Sequence, residues 1–297
     1  MSRTYTITGA SGNIGRVIAE QLLEQRYTVR VFGRNEERLQ PLVDAGAKPF
    51  VGDLEDTKLL AEAYRGADAV FAMIPPNLQS EDYIGYAGRI SKAHVGAVRK
   101  AGVKRVVALS SIGAHLAEGT GVVRALHNFE NDLAAIEGCD VLVLRPGYFM
   151  DNILVQAQII KLFGFAASPV NGDVVIPVVY TRDIGEMAAA RLANLKISGH
   201  AIEYVLGERD ITYNEIADVL GKAIGKPDLK YVQLPGDQAV TGMTQMGISR
   251  STAGLLVELA DAINDGRLLS QYRRTPANTT WTSIEEFSKM FADIYTR

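Results

Sequence analysis

The stretch TYTITGASGNIGR at residues 4–16 decides the fold of this chain. β-branched and aromatic residues lead into three glycines spaced G-x-x-G-x-x-G, and apolar residues with helical spacing follow at once. This order predicts a strand, a turn and a helix, the opening of a dinucleotide-binding unit, although an ordinary turn without a ligand is the alternative. The first glycine permits the tight turn, the second lets the backbone approach a pyrophosphate, and the third lets the helix pack close to the strand. The helix N-terminus presents N–H groups and partial positive charge to the phosphates. The predicted contacts are Gly9, Ser11, Gly12, Asn13, Ile14 and Gly15.

Composition limits the classes of protein to which the chain can belong. Its 297 residues are 47% apolar, enough for one large domain or one domain with a smaller appendage. A net charge of −3 argues against nucleic-acid binding by phosphate neutralisation. The single cysteine, Cys139, excludes an intrachain disulfide, and no histidine has metal-ligand spacing, so we predict no metal. No apolar stretch reaches the length of a membrane span, and a first strand at Thr4 leaves no room for a signal peptide, so we expect a cytoplasmic protein.

Strand and helix patterns alternate through the first half of the chain. Further strands are predicted at Thr28–Phe32, Lys48–Val51, Ala69–Ile74, Arg105–Leu109 and Val141–Leu144. This alternation predicts an α/β fold with a Rossmann-type doubly wound parallel sheet, covered by helices on both faces. Ligands of such sheets bind beyond the carboxyl ends of the strands.

The alternation loosens after about Tyr148. We therefore predict an NAD(P)-binding Rossmann domain over residues 1–150 and a smaller mixed α/β substrate lobe over residues 151–297. The short strand near residues 173–177 is open to either assignment, because it can also rejoin the main sheet.

Arg34 stands at the end of the second strand, where an NAD-binding protein usually carries an acidic residue. A guanidinium suits a 2′-phosphate and can stack on adenine. Glu36 and Glu37 fit the first turn of the next helix instead, where the helix dipole favours acids. We therefore predict that NADP(H) is preferred over NAD(H), the alternative being an arginine that is only solvated.

Asp53 and Leu54 follow the third strand. The carboxylate can accept a hydrogen bond from the adenine amino group while the leucine covers the ring, although Asp53 suits the N-cap of the next helix equally well.

The ends of the fourth and fifth strands would border the nicotinamide and its ribose. A pair of serines also satisfies a strand end locally, so both interpretations of the serines stay open. The predicted contacts at these two strand ends are Met73, Ile74, Pro75, Ser110 and Ser111.

Candidate proton donors are few. His115 follows the fifth strand and His127 lies in the next helix, where a histidine that faces the cleft can move protons near neutral pH. No tyrosine is followed by lysine four residues later, so the Y-x-x-x-K pair of short-chain reductases is absent. G-x-S-x-G and C-x-x-C are absent as well.

Five motifs occur in the order expected of one known family. They are GASGNIG at 9–15, Arg34, Gly52-Asp53, SSIG at 110–113 and LRPGYFMDN at 144–152. On these residues nearly the whole chain resembles the NmrA-like, atypical short-chain dehydrogenase/reductases. That group includes bacterial NADPH-dependent quinone oxidoreductases, triphenylmethane-dye reductases and the redox-sensing regulator NmrA. The segment YTRDI at 180–184 resembles their strand-to-helix element, and His127 matches a histidine of some quinone-reductase members.

The resemblance implies an NADPH-binding Rossmann domain, a small C-terminal lobe and a cleft between them. Members of the group include both reductases and regulators, and our first hypothesis is an NADPH-dependent oxidoreductase that transfers hydride to a quinone or a similar planar acceptor. Such an acceptor is electrophilic enough to need little acid catalysis. Tyr148 and His127 are the catalytic candidates for orienting the substrate or delivering a proton, and Phe149, Met150 and Phe163 would form an apolar wall.

The alternative function is an NADP(H)-sensing regulator with little or no turnover. The expected partner of the enzyme is a small apolar or aromatic substrate, and neither nucleic acid nor a membrane. The sequence is compatible with a homodimer. The regulator alternative adds a protein partner. The apolar stretch Leu154–Phe165 is a candidate for that interface or, in the enzyme, for the lining of the substrate pocket.

Overall fold

The structure, a computed structural model, describes residues 2–297 and contains twelve strands within them. They are β1 Thr4–Thr8, β2 Thr28–Gly33, β3 Lys48–Val51, β4 Ala69–Ala72, β5 Arg105–Leu109, β6 Asp140–Pro146, β7 Tyr148–Phe149, β8 Ala166–Ser168, β9 Val175–Val179, β10 His200–Val205, β11 Asp210–Thr212 and β12 Tyr231–Gln233. Seven form one parallel sheet in the order β10-β6-β5-β4-β1-β2-β3. The predicted doubly wound α/β fold is confirmed. Its topological switch point lies between β1 and β4, where the glycine-rich turn also lies.

Eleven α-helices lie between and after these strands in the described part of the chain. They are α1 Asn13–Glu24, α2 Glu36–Asp44, α3 Thr57–Tyr64, α4 Tyr83–Ala101, α5 Arg124–Ala134, α6 Gln156–Phe163, α7 Thr181–Asn194, α8 Tyr213–Ala223, α9 Gly236–Gln245, α10 Arg250–Asn264 and α11 Ile284–Thr296. Short 3₁₀ helices span Gly121–Val123, Met150–Val155 and Arg267–Leu269. None of the described helices is both long enough and apolar enough to cross a membrane.

Helices cover both faces of the main sheet because its central strands are apolar on both sides. In β5, Val106 and Ala108 face a core shared with α3, α4 and α5, whereas Val107 and Leu109 face a core shared with α1, α2 and α7. A parallel strand buried on both faces is a continuous apolar run, as β5 is. Along β5, polar side chains therefore lie only at and just beyond its ends, at Arg105 and Ser110.

The C-terminal half of the chain contributes to the main sheet as well as to the second lobe. β10 pairs with β6 and forms an edge of the sheet, and α7 packs closely on α1. The strand near residues 173–177 does not rejoin the sheet, which corrects that expectation. It is β9, which pairs with β7 and β11 in a separate sheet, because the crossover through α7 brings β10 beside β6 instead. The main sheet and its helical cover thus extend beyond the predicted boundary at residue 150.

The second lobe has its own core and is hydrogen-bonded to the main sheet's loops. Its core includes α6, α8 and α11. At the start of α10, Ser249 Oγ and Thr252 Oγ1 donate to the Ser80 carbonyl in the β4–α4 loop, at 2.6 and 2.8 Å. In α7, the buried Asp183 carboxylate accepts from the N–H and hydroxyl of Thr282, at 3.0 and 2.7 Å. These bonds hold the lobe against the carboxyl edge of the sheet.

Candidate active site

The glycine-rich turn between β1 and α1 has the conformation that its spacing predicts. Gly9 lies at φ = 65°, a left-handed conformation that favours glycine, and a Cβ there would lie 2.8 Å from Met73 Sδ. A Cβ on Gly15 would lie 2.4 Å from the Gly9 carbonyl oxygen. The local backbone and packing therefore require glycine at both positions, whether or not a ligand binds.

Gly12 is under no such constraint from the described residues. It is exposed, its φ is −95°, and a Cβ would meet only the Gly9 carbonyl oxygen at 3.3 Å. It is the N-cap of α1, which has neither a side-chain cap nor an acidic residue in its first turn. The N–H groups at this helix end are thus available to an anion, and a side chain at position 12 would fill the space before them. This cradle fits a pyrophosphate.

Arg34 and Asp53 directly follow the ends of the paired strands β2 and β3. The Gly52 N–H donates to the Gly33 carbonyl at 3.0 Å, which joins the two strand ends. Burial raises the pKa of Tyr86, an effect that Arg34 opposes and Asp53 reinforces, so both charges lie near this phenol. Tyr86 was not predicted from the sequence. Its position in the first turn of α4, the helix that follows β4, could have indicated it. These groups fit the adenosine end of a dinucleotide.

The N-cap alternative for Asp53 is wrong, because the cap of α3 is Asp56. The Asp56 carboxylate accepts from the N–H groups of Lys58 and Leu59, at 2.9 and 3.1 Å. Asp53 instead accepts from the N–H two residues on, at 2.8 Å, and stays exposed. Leu54 is buried in the core and offers little surface to an adenine ring. The adenine contacts of both residues stay predictions.

Met73 lies at the middle of the carboxyl edge, above Gly9. Its carbonyl accepts from Nε2 of the buried His94 at 3.1 Å, while His94 Nδ1 accepts from the Tyr64 hydroxyl at 2.7 Å. Burial lowers the pKa of His94 to about 4, so the imidazole is neutral near pH 7. His94 therefore holds the backbone of the β4 end. The other two predicted contacts here are buried Ile74 and half-buried Pro75.

Ser110 donates its hydroxyl proton to a buried ion pair that the sequence reasoning missed. Glu130 Oε1 accepts from Ser110 and from Arg145 Nε (2.9 Å), and Glu130 Oε2 accepts from Arg145 Nη2 (2.5 Å). The two charged side chains are only 10% and 7% exposed. Burial opposes the charge of Arg145, but hydrogen bonds with Glu130 and Tyr204 outweigh it and raise its pKa. Arg145 could have indicated this ion pair from the sequence, because it is a charged residue within the apolar run of β6 and needs a partner when buried.

Ser111 and His127 of this half of the edge are also hydrogen-bonded within the protein, whereas one ring nitrogen of His115 is not. Ser111 Oγ donates to the carbonyl of the next residue at 2.9 Å. His127 Nδ1 donates to the Ala114 carbonyl, and its Nε2 accepts from the Asn131 amide, each at 2.9 Å. His115 Nδ1 is buried and has no partner among the described residues, and burial lowers its pKa. Ser111 and His127 would have to exchange these internal bonds before donating to a ligand.

Tyr148 lies in β7 and packs against the second lobe. Its ring is 6.0 Å from that of Tyr213, edge to face. Burial raises the pKa of Tyr148, and a hydrogen bond with Tyr213 partly opposes the rise. The phenol thus keeps its proton near pH 7, and its catalytic role stays a prediction.

The expected apolar wall of Phe149, Met150 and Phe163 is not assembled. Phe149 packs on the core beneath α1 and α7, whereas Met150 is buried in the core of the second lobe. Phe163 is 64% exposed at the far end of α6 and stacks on Phe165. The first two side chains diverge as the chain leaves β7, and the length of α6 separates the third from both.

Two surface depressions lie away from the predicted contacts. One of about 600 Å³ is lined by residues 134–140 with Gly199 and His200, at the amino ends of β6 and β10. Another, of about 310 Å³, lies between the first turns of α7 and α11, beside Trp281. Neither contains a predicted cofactor contact, so the candidate site is defined by the carboxyl edge itself.

Known proteins share both the sequence and the fold. Residues 9–167 match the NAD(P)H-binding family. NAD(P)H azoreductase of Xenophilus azovorans is 28% identical over 259 residues, which cover 87% of this chain and 84% of that protein. The NADPH-dependent quinone oxidoreductase of Escherichia coli, solved with NADPH, has a TM-score of 0.82 at 21% identity and covers 96% of this chain and 99% of its own.

A triphenylmethane reductase of Citrobacter sp. has a TM-score of 0.77 at 18% identity, covering 98% of this chain and 99% of its own. At these identities the two structures show a shared fold. The family match spans more than half of the chain and begins at Gly9 of the glycine-rich turn. This chain belongs to the NAD(P)H-binding family.

Proposed function

We propose that this protein is an NADPH-dependent oxidoreductase that transfers hydride to a quinone or a similar planar electron acceptor. The observation that carries the proposal is the pairing of Ser110, Ser111 and His127 within the protein, beside a free cradle for the pyrophosphate. A site with this arrangement suits an acceptor that needs little acid catalysis. The names of the three relatives refer to azo compounds, quinones and triphenylmethane dyes, all of which are conjugated acceptors.

The residues of the chain would bind and orient both reactants. Bound NADPH would supply the hydride at the ends of β4, β5 and β6. Positioning and exclusion of water promote transfer to an electrophilic acceptor. Tyr148 is the candidate for delivering a proton from a phenol that stays protonated near pH 7, and His127 is the second candidate.

Oxidation of NADPH, followed by its absorbance, tests this function against a small p-quinone, an azo dye, a triphenylmethane dye and an enone. We expect turnover with quinones. Tyr148→Phe or His127→Ala should lower kcat by about 10²–10⁴-fold for acceptors that need a general acid, and by less for a readily reduced quinone. His200→Ala, at the opposite edge, is the control. Tight NADPH binding without turnover across the panel would contradict the enzyme and favour the regulator.

Preference for NADPH over NADH is part of this proposal, and Arg34 supports it. A charge-assisted contact with the 2′-phosphate contributes about 1.5–3 kcal/mol, or about ten- to a hundredfold in affinity. Titration of both cofactors should show this preference in the wild type and its loss in Arg34→Ala. Arg65 is an exposed arginine at the C-terminal end of α3, and the control variant Arg65→Ala should retain the preference for NADPH. Equal affinities in the wild type, or an unchanged preference in Arg34→Ala, would contradict the assignment.

A further inference from the structure

One carboxylate connects the phosphate-binding turn to the second lobe. Asp151 lies in the 3₁₀ helix after β7, at the start of the second lobe. Its Oδ1 accepts from Asn13 Nδ2 at 2.8 Å, and its Oδ2 accepts from the Thr181 N–H at 3.1 Å. Asn13 is the first residue of α1, directly after Gly12, and Thr181 is the first residue of α7. Asp151 therefore bridges two neighbouring helix N-termini.

The two helix ends use this carboxylate differently. The N-cap of α7, Tyr180, makes no side-chain cap, so Asp151 supplies the acceptor from another segment. Its charge is stabilised at the positive end of the α7 dipole. At α1 the carboxylate accepts only from the side chain of Asn13, and the backbone N–H groups of the first turn keep their capacity for an anion.

The bond to Asn13 also removes a competitor for those N–H groups. An asparagine side chain near a helix N-terminus readily hydrogen-bonds neighbouring backbone groups. Asn13 is exposed and would be free to do so without its partner. We propose that Asp151 is a positioning residue for the pyrophosphate, which holds the Asn13 amide aside so that the N–H groups of α1 stay open to the phosphates.

The proposal rests on NAD(P)H binding, which the family match supports, and not on hydride transfer. A binding experiment therefore tests it even if every acceptor fails. The experiment is a double-mutant cycle on the full chain, with wild type, Asp151→Ala, Asn13→Ala and the double variant. The Kd is measured for NADPH and for 2′-AMP, which lacks the pyrophosphate.

Asp151→Ala should weaken NADPH binding by about five- to tenfold, as expected for the loss of about one net hydrogen bond. Affinity for 2′-AMP should not change. In the Asn13→Ala background, the same substitution should change the NADPH Kd by less than about twofold, since the competing amide is gone. If Asp151→Ala does not fold, Asp151→Asn replaces it in the cycle. The asparagine side chain has the size of aspartate but only one acceptor oxygen.

Asp140→Asn is the matched control. The Asp140 carboxylate also bridges two segments, accepting from the Gly199 N–H at 2.7 Å, but at the amino edge of the sheet. The Asp140→Asn substitution should lower the melting temperature without changing the NADPH Kd. The proposal is overturned by wild-type NADPH affinity in folded Asp151→Ala and Asp151→Asn, by an equal loss in both Asn13 backgrounds, or by an equal loss of 2′-AMP affinity.

Discussion

The two halves of the carboxyl edge hold their polar groups in opposite ways. At the ends of β1, β2 and β3, the residues Gly12, Arg34 and Asp53 are exposed, and the N-terminus of α1 lacks a side-chain cap. At the ends of β5 and β6, Ser110 and Arg145 are buried and both are hydrogen-bonded to Glu130. The half at β1, β2 and β3 presents exposed polar groups to solvent, whereas the half at β5 and β6 uses most of its polar groups in hydrogen bonds within the protein.

This difference indicates how the site divides its work. A free helix end and an exposed guanidinium suit anionic phosphate groups, so we expect these groups to contribute affinity for the cofactor. A buried and internally paired network offers little acid, and it holds the strand ends in place where hydride transfer would occur. The comparison predicts that substitutions in the first half alter binding, while those in the second alter stability.

The largest expected effect is loss of the cofactor from Gly12→Val. The branched side chain would block the N–H groups of α1, and losing about two charge-assisted hydrogen bonds of about 1.5–3 kcal/mol each raises the NADPH Kd by about 10²–10⁴-fold. The fold should survive, because a Cβ at this position meets only the Gly9 carbonyl oxygen at 3.3 Å. Calorimetric titration and thermal unfolding measure both.

Gly254→Val is the control for Gly12→Val, since a Cβ at this exposed helical glycine meets no atom within 4 Å beyond its chain neighbours and the nearby backbone of its own helix. It should leave the NADPH Kd unchanged. Wild-type NADPH affinity in folded Gly12→Val would remove the pyrophosphate from this turn.

The second effect concerns the buried half. Glu130→Gln leaves the charge of Arg145 buried without its carboxylate, which should lower the free energy of unfolding by about 3–5 kcal/mol. Urea unfolding measures the change. Adding Arg145→Met should recover part of it, because the orphaned charge is removed. Glu186→Gln, in the surface pair with Arg182, should cost only about 0.3–0.5 kcal/mol. Equal effects of the two glutamate substitutions would refute the contrast between the halves.

The third effect is a pH dependence from His94, which lies between the halves beneath Met73. Burial lowers its folded-state pKa from 6.5 to about 4. Between these pH values the unfolded chain binds a proton that the folded chain does not, so stability falls as the pH falls. Once the pH is below both pKa values, this proton uptake has lowered the free energy of unfolding by about 3 kcal/mol.

Unfolding free energies across this pH range should show a shallower decline in His94→Gln than in the wild type. His200→Gln changes an exposed histidine and should keep the wild-type slope. A wild-type slope in His94→Gln would mean that other groups cause the decline.

The features predicted from the sequence are mainly those that depend on neighbours along the chain. The turn at Gly9 and the close contact of Gly15 follow from local geometry and appear as expected. The apolar wall was wrong because it needed Phe163 to approach Phe149, and sequence spacing does not determine how a long segment folds back.

The sequence by itself determined the parallel sheet, the positions of its first six strands along the chain and the glycine-rich turn after β1, because apolar runs and glycine spacing act over a few residues. Tertiary structure alone decided that β10 and not β9 joins the sheet, and that Ser110 meets Glu130. It also decided that Asp151 reaches Asn13, across 138 residues of chain. These contacts join segments whose distance in sequence carries no information about their distance in space, and packing brings them together.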